Sequence, residues 1–189
     1  MSDADRTAEP SRPARNWDAI TALIAVMIGV LALLISGYTA YIQRQQVRAQ
    51  VWPRLLLASF SSENAVKLLN KGVGPAIVRS VRVAVDGRPQ QDWANVTKAL
   101  GLPPAPLRTS TISDYVVSAD EQVPVMVFAD SEHFRAFRDS VRNRVELEIC
   151  YCSTLEDCWV YADRMSETRP TVTTVAACPT LRNADRFAD

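Results

Sequence analysis

Residues 19–42 form a run of 24 residues without a charged side chain, most of them Ala, Val, Leu and Ile. At 1.5 Å per residue a helix of that length extends roughly 35 Å, enough to cross a hydrocarbon core of about 30 Å with some tilt. The pattern predicts a membrane-spanning helix over 17–42. Trp17 precedes it and Tyr38 and Tyr41 close it, at positions where amphipathic rings prefer the headgroup level. A cleaved signal peptide fits less well. The run exceeds an ordinary apolar segment of that kind, and a cut after Ala40 would place Tyr38 where a small residue is needed. A helical stalk over 43–52 should follow and stop before Pro53, because the residue before a proline is pushed out of the helical region.

Past the stalk the period shortens. Short apolar runs at 54–60 and 65–69 predict two strands. The stretch 77–85 alternates, with Val81, Val83 and Val85 on one face. Further strands are predicted at 111–118, 122–128, 144–152, 158–162 and 171–176. Two helices interrupt them. One, over 92–100, opens on Asp92 as cap and closes at Gly101. The other, over 130–143, carries Phe134, Phe137 and Val141 on one face. The predicted fold is mainly β: an antiparallel immunoglobulin-like β-sandwich with one or two inserted helices, the alternative being an α+β sheet. The domain is expected over 53–178, between a disordered tail at 1–16 and a flexible tail at 179–189.

Charge narrows the partners. Formal net charge is zero over the whole chain, and from Val51 onward 16 Lys and Arg face 17 Asp and Glu. A near-neutral domain carries no electrostatic footprint for nucleic acid. Arg6, Arg12 and Arg15 before the span balance Arg44, Arg48 and Arg54 after it, so charge does not orient the span. The span itself has a stripe of small residues, Ala25, Gly29, Ala32 and Ser36, at helical spacing. Such residues let two helices approach closely in lipid, and a homodimer through this seam is one expectation. The alternative is that Ala and Gly are simply common in such helices.

Chemistry concentrates in one hairpin. On the strand 144–152, Val145, Leu147, Ile149 and Tyr151 share the core face, which sends Cys150 and Cys152 to the other. A turn at 153–157 brings Cys158 opposite Cys152, a separation that suits a disulfide. Cys150 and Cys178 remain as the second pair. Four cysteines allow three pairings. Disulfides imply an oxidising compartment and place the domain outside the cytoplasm, with the N-terminus inside. Inert free thiols, or a metal set of Cys150, Cys152 and Cys158, are the alternatives. Cys-x-Cys-x5-Cys is not a common zinc spacing. His133, the single histidine, sits in the first turn of a predicted helix, where a solvated role is the simpler one. No nucleophile, phosphate-loop or zinc-protease motif is present. No catalytic residue, cofactor or metal is therefore assigned.

The stalk YIQRQQVRAQVWPRL, the turn NKGVGPA at 70–76 and the hairpin ICYCSTLEDCW at 149–159 together resemble a family of uncharacterised bacterial single-pass membrane proteins. That family has no established activity, so the resemblance implies the architecture and leaves function open. Two functions stay in view. The first is a binding or scaffolding module, anchored in the bilayer of the inner membrane and contacting an unidentified envelope protein. The second is a thiol-based redox or metal-handling protein centred on Cys150, Cys152 and Cys158.

Overall fold

The computed structural model describes residues 17–104, 106–165, 169–182 and 185–188. The chain divides into two units, residues 1–46 and 47–189. The tail predicted at 1–16 lies outside the described residues.

Helix α1 (Trp17–Gln50) has no buried residue, and its apolar window has a mean hydropathy of 2.7, long and apolar enough to cross a membrane. It continues without a break through the predicted stalk and ends two residues ahead of Trp52-Pro53. Thr21 and Thr39 turn their hydroxyls back to carbonyls one turn earlier, so neither leaves an unpaired group on the apolar surface.

The second unit holds two antiparallel sheets and two helices. In chain order its elements are β1 (Leu55–Phe60), β2 (Ala65–Asn70), β3 (Ala76–Val85), β4 (Arg88–Gln90), α2 (Trp93–Ala99), β5 (Leu107–Thr109), β6 (Val116–Val117), β7 (Gln122–Phe128), α3 (Ser131–Val141), β8 (Val145–Cys152), β9 (Cys158–Asp163) and β10 (Thr171–Val175). One sheet runs β1-β2-β7-β5. The other runs β10-β9-β8-β3-β4, with β6 also on β3. Both sheets and both helices close a single core. Leu55, Leu68, Val125 and Met126 from one sheet meet Val81, Val83, Leu147 and Ile149 from the other. Burying such side chains stabilises by about 1.5–3 kcal/mol each. The two helices interrupt runs of three and four antiparallel strands, and the α+β description fits this mixture.

The helices form where capping and spacing direct them. Asp92 accepts from the Asn95 amide at 2.7 Å, and Gly101 takes a positive φ of 75° just past α2. Asp130 accepts from the Glu132 and His133 amides. Phe134, Phe137 and Val141 are buried, and the Phe134 and Phe137 rings pack on Phe128 at 5.7 and 5.1 Å. Arg144 binds Asp86 at 2.7 Å and reaches the carbonyls of Ala99 and Leu100, joining the end of α2 to the β3–β4 turn.

Three expectations change. The strand predicted at 111–118 shrinks to Val116–Val117, because Asp114 takes a φ of 58° and breaks the extended run. β4 and β5, three residues each, had no alternation to reveal them. The stretch after Pro179, expected to be flexible, contains Phe187, which is fully buried and stacks edge-on against Trp93 at 4.8 Å. The Phe187 amide donates to Val81 and the Ala188 amide to Gln91. The C-terminal segment thus fills the open edge of β3 between β6 and β4.

The NKGVGPA turn is a clamp on the entrance to the domain. Asn70 is completely buried and its side-chain amide makes four hydrogen bonds. Its Oδ1 accepts from the Arg54 and Gly72 amides, both at 3.0 Å, and its Nδ2 donates to the carbonyls of Gly74 at 2.7 Å and Val117 at 3.1 Å. A Cβ on Gly72 or Gly74 would fall on the backbone of residues 51–54. The glycines are there to let the two strands of backbone touch.

Candidate functional site

The hairpin of β8 and β9 is aligned by its ladder, with Ile149 opposite Tyr161, Tyr151 opposite Trp159 and Cys152 opposite Cys158. Val145, Leu147, Ile149 and Tyr151 face the core. At the turn the Ser153 amide donates to the Asp157 carbonyl at 2.8 Å, and Glu156 takes a φ of 60°. Tyr151 and Trp159 pack as a ring pair with centroids 5.8 Å apart.

Cys150 and Cys152 point away from the core, yet both are buried. The C-terminal segment covers them. Cys152 is joined to Cys158 with Cα atoms 4.0 Å apart, and Cys150 to Cys178 with Cα atoms 5.7 Å apart. This is the pairing that strand alternation ranks first. No free cysteine remains among the described residues. The glutamates on the same face are engaged by arginines: Glu148 by Arg82 at 3.3 Å and Glu146 by Arg164 at 3.7 Å.

Two features were not legible in the spacing. The bridges touch each other: Cys152 Sγ lies 3.8 Å from Cys178 Sγ. The sulfurs of Cys152, Cys158 and Cys178 all lie within 4.8 Å of one another. The compact trio therefore contains Cys178, where the expected metal set had Cys150. As bridges these sulfurs are not thiolates, the form that ligates metal.

The second feature is a cleft of about 460 Å³ beside the bridges, lined by Cys152, Cys158, Cys178 and residues 176–181. Its charged wall comes from Arg79, Asp114, Glu156 and Arg186, paired as Arg79–Glu156 at 3.3 Å and Arg186–Asp114 at 2.6 Å. Arg79 is present because β3 carries a bulge between Val78 and Ser80. The extra residue lets Val78 and Val81 both face the core and turns Arg79 outward.

His133 is half-buried with its Nδ1 2.7 Å from Asp130 Oδ2. Amide hydrogen bonds from His133, together with its ring, hold the Asp130 carboxyl below the usual carboxylate range. This is a helix cap with a side-chain hydrogen bond, on a different element from the cysteines. Ala25, Gly29, Ala32 and Ser36 all lie exposed on α1. Comparison of the chain with protein-family models, curated proteins and solved structures finds no match.

Proposed function

We propose that this chain is a single-pass, membrane-anchored binding or scaffolding module. Its domain lies outside the cytoplasm and takes up an extended segment of another envelope protein along β10. The free edge of β10 carries this reading. Sheet edges present unpaired backbone groups, and proteins blunt them with charge, proline, brevity or a cover. β4 has Arg88 and Pro89, and β5 is three residues long with Arg108. The Leu57 amide on β1 donates to the Tyr161 hydroxyl at 3.3 Å. β10 (TVTTV) has none of these devices: it is uncharged, β-branched and paired with β9 alone among the described strands. Such an edge suits strand addition, with main-chain hydrogen bonds supplying affinity.

Supporting arguments come from compartment and fold. Two closed bridges fit an oxidising environment. The strand orders β1-β2-β7-β5 and β9-β8-β3-β4 follow the A-B-E-D and G-F-C-C′ orders of immunoglobulin-type sandwiches, with β10 added beyond G. We read the fold as immunoglobulin-like on that ground, and fold alone is a weak warrant for function.

The test places a photo-crosslinking residue at Thr173 of the full chain in intact cells. The reading expects a discrete adduct with another envelope protein, lost when Val175 is replaced by proline. Absence of any adduct, or an adduct that persists with Val175→Pro, would overturn it.

A further inference from the structure

We propose that the two bridges form one thiol–disulfide exchange unit, in which a dithiol reductant entering the cleft reduces Cys152–Cys158 and Cys152 then displaces Cys150 from Cys178. This does not depend on the binding role of β10. It rests on two observations at the hairpin.

The first is distance. Cys152 Sγ and Cys178 Sγ belong to different bridges and are in contact at 3.8 Å. Exchange proceeds by attack of a thiolate on a disulfide sulfur, and here the attacking and attacked atoms are already neighbours. The second is access. The cleft is lined by Cys152, Cys158 and Cys178 and not by Cys150, so a reductant in it meets both bridges from one side.

The steps balance as follows. A dithiol of the oxidoreductase or small-molecule class attacks Cys158 Sγ as a thiolate. The Cys152–Cys158 bond breaks and Cys152 leaves as a thiolate. The second thiol of the reductant attacks its own mixed disulfide and releases Cys158. The reductant ends as a disulfide, having delivered two electrons. Cys152 thiolate then attacks Cys178 Sγ. A Cys152–Cys178 bond forms, the Cys150–Cys178 bond breaks, and Cys150 leaves as a thiolate that takes a proton from water. This second step moves no net electrons. The product has thiols at Cys150 and Cys158.

One structural consequence follows. Cys178 remains bonded to β8 throughout, first through Cys150 and then through Cys152. The C-terminal segment that carries Arg186 and Phe187 is not released by a single two-electron reduction. The domain can accept electrons at the cleft while its core stays covered.

The experiment uses the full chain in detergent micelles with one equivalent of dithiothreitol, acid quenching, alkylation and non-reducing peptide mapping. The expected singly reduced species has Cys150 and Cys158 alkylated and a Cys152–Cys178 peptide as the dominant bridge. Alkylation of Cys152 and Cys158 with Cys150–Cys178 intact would overturn exchange. So would alkylation of Cys150 and Cys178 with Cys152–Cys158 intact, or resistance of both bridges until the protein unfolds. The variant Cys158→Ser tests the second step without reductant. Its free thiol should be found at both Cys150 and Cys152; a thiol confined to Cys152, in protein that retains the near-ultraviolet circular dichroism of the parent, would contradict the proposal.

Discussion

The domain holds its entrance and its exit by different physics. At the entrance, residues 51–54 are gripped by the Asn70 turn: the buried Asn70 side chain accepts from the Arg54 amide and ties the turn to itself and to Val117, the Lys71, Val73 and Gly74 amides donate to the carbonyls of Arg54 and Trp52, and two glycines leave no room for a Cβ. At the exit, the segment from Ala176 to Ala188 is tied to β8 by Cys150–Cys178 and anchored by Phe187. The first device can fail only by unfolding. The second contains bonds that another thiol can break and remake. A clamp of hydrogen bonds makes a permanent joint, whereas a pair of touching disulfides makes a joint whose chemistry depends on its surroundings.

The largest effect is expected at the entrance. Asn70→Ala deletes four hydrogen bonds and leaves two amides and two carbonyls without their partner, at about 1–3 kcal/mol for each group that water does not reach. A total loss of about 4 kcal/mol is predicted, read from the denaturant midpoint of the full chain in micelles. A loss below about 1 kcal/mol would show that water replaces the amide and that the turn is no clamp.

The exit should respond next. Cys178→Ser opens a loop spanning a sequence separation of 28, and loop entropy puts its cost at about 3–4 kcal/mol. Cys158→Ser opens a loop with a separation of 6 and should cost about 2 kcal/mol. Equal losses in the two variants would remove the distinction between a bridge that anchors the tail and one that closes a turn. Phe187→Ala leaves a cavity against Trp93 and should cost about 3 kcal/mol. A negligible change would mean that the bridge alone retains the segment.

The smallest effect concerns pH and separates both devices from the surface. Neither the Asn70 amide nor a closed bridge titrates. Asp86 does: the hydrogen bond from Arg144 holds its carboxyl below the ordinary value of 3.8. Glu121 is likewise held below 4.5 by the Ser118 amide and the Tyr115 hydroxyl. A carboxylate with a depressed folded pKa contributes stability that is fully present above its unfolded value and is lost as pH falls through its folded value. Stability should therefore be flat from about pH 5 to 7 and decline gently below about pH 4. Asp86→Asn and Glu121→Gln together should flatten that acid limb, because the small stability the two carboxylates add at neutral pH is lost with them.

How much of this was legible depends on how local the signal was. The alternation of Val145, Leu147, Ile149 and Tyr151 put the cysteines on the outer face, and the structure finds them there. Phe134, Phe137 and Val141 marked the buried face of α3 by spacing alone. The bulge at Arg79 was hidden because it interrupts alternation within one apolar run. β4 and β5 were too short to show any period. Phe187 is a single apolar residue in a polar stretch, and nothing local distinguishes an anchor from a stray side chain. The contact between the bridges was not readable either, since Cys152 and Cys178 meet only after the C-terminal segment folds across the hairpin. The NKGVGPA turn was recognisable as turn chemistry, but its role as a clamp lies in Asn70 contacts with Arg54 and Val117, both distant in the chain.

The exchange unit and the hold on the exit both require the four cysteines to be closed as two touching bridges in the working protein. The direct measurement is their state in intact cells, with thiols blocked by rapid acid quenching and alkylation before lysis and the protein mapped without reduction. The expected bridges are Cys150–Cys178 and Cys152–Cys158, with an exchanged Cys152–Cys178 form as the minor bridged species. Four alkylated cysteines would contradict this, placing the domain in a reducing compartment and removing both the exchange unit and the covalent hold on the exit.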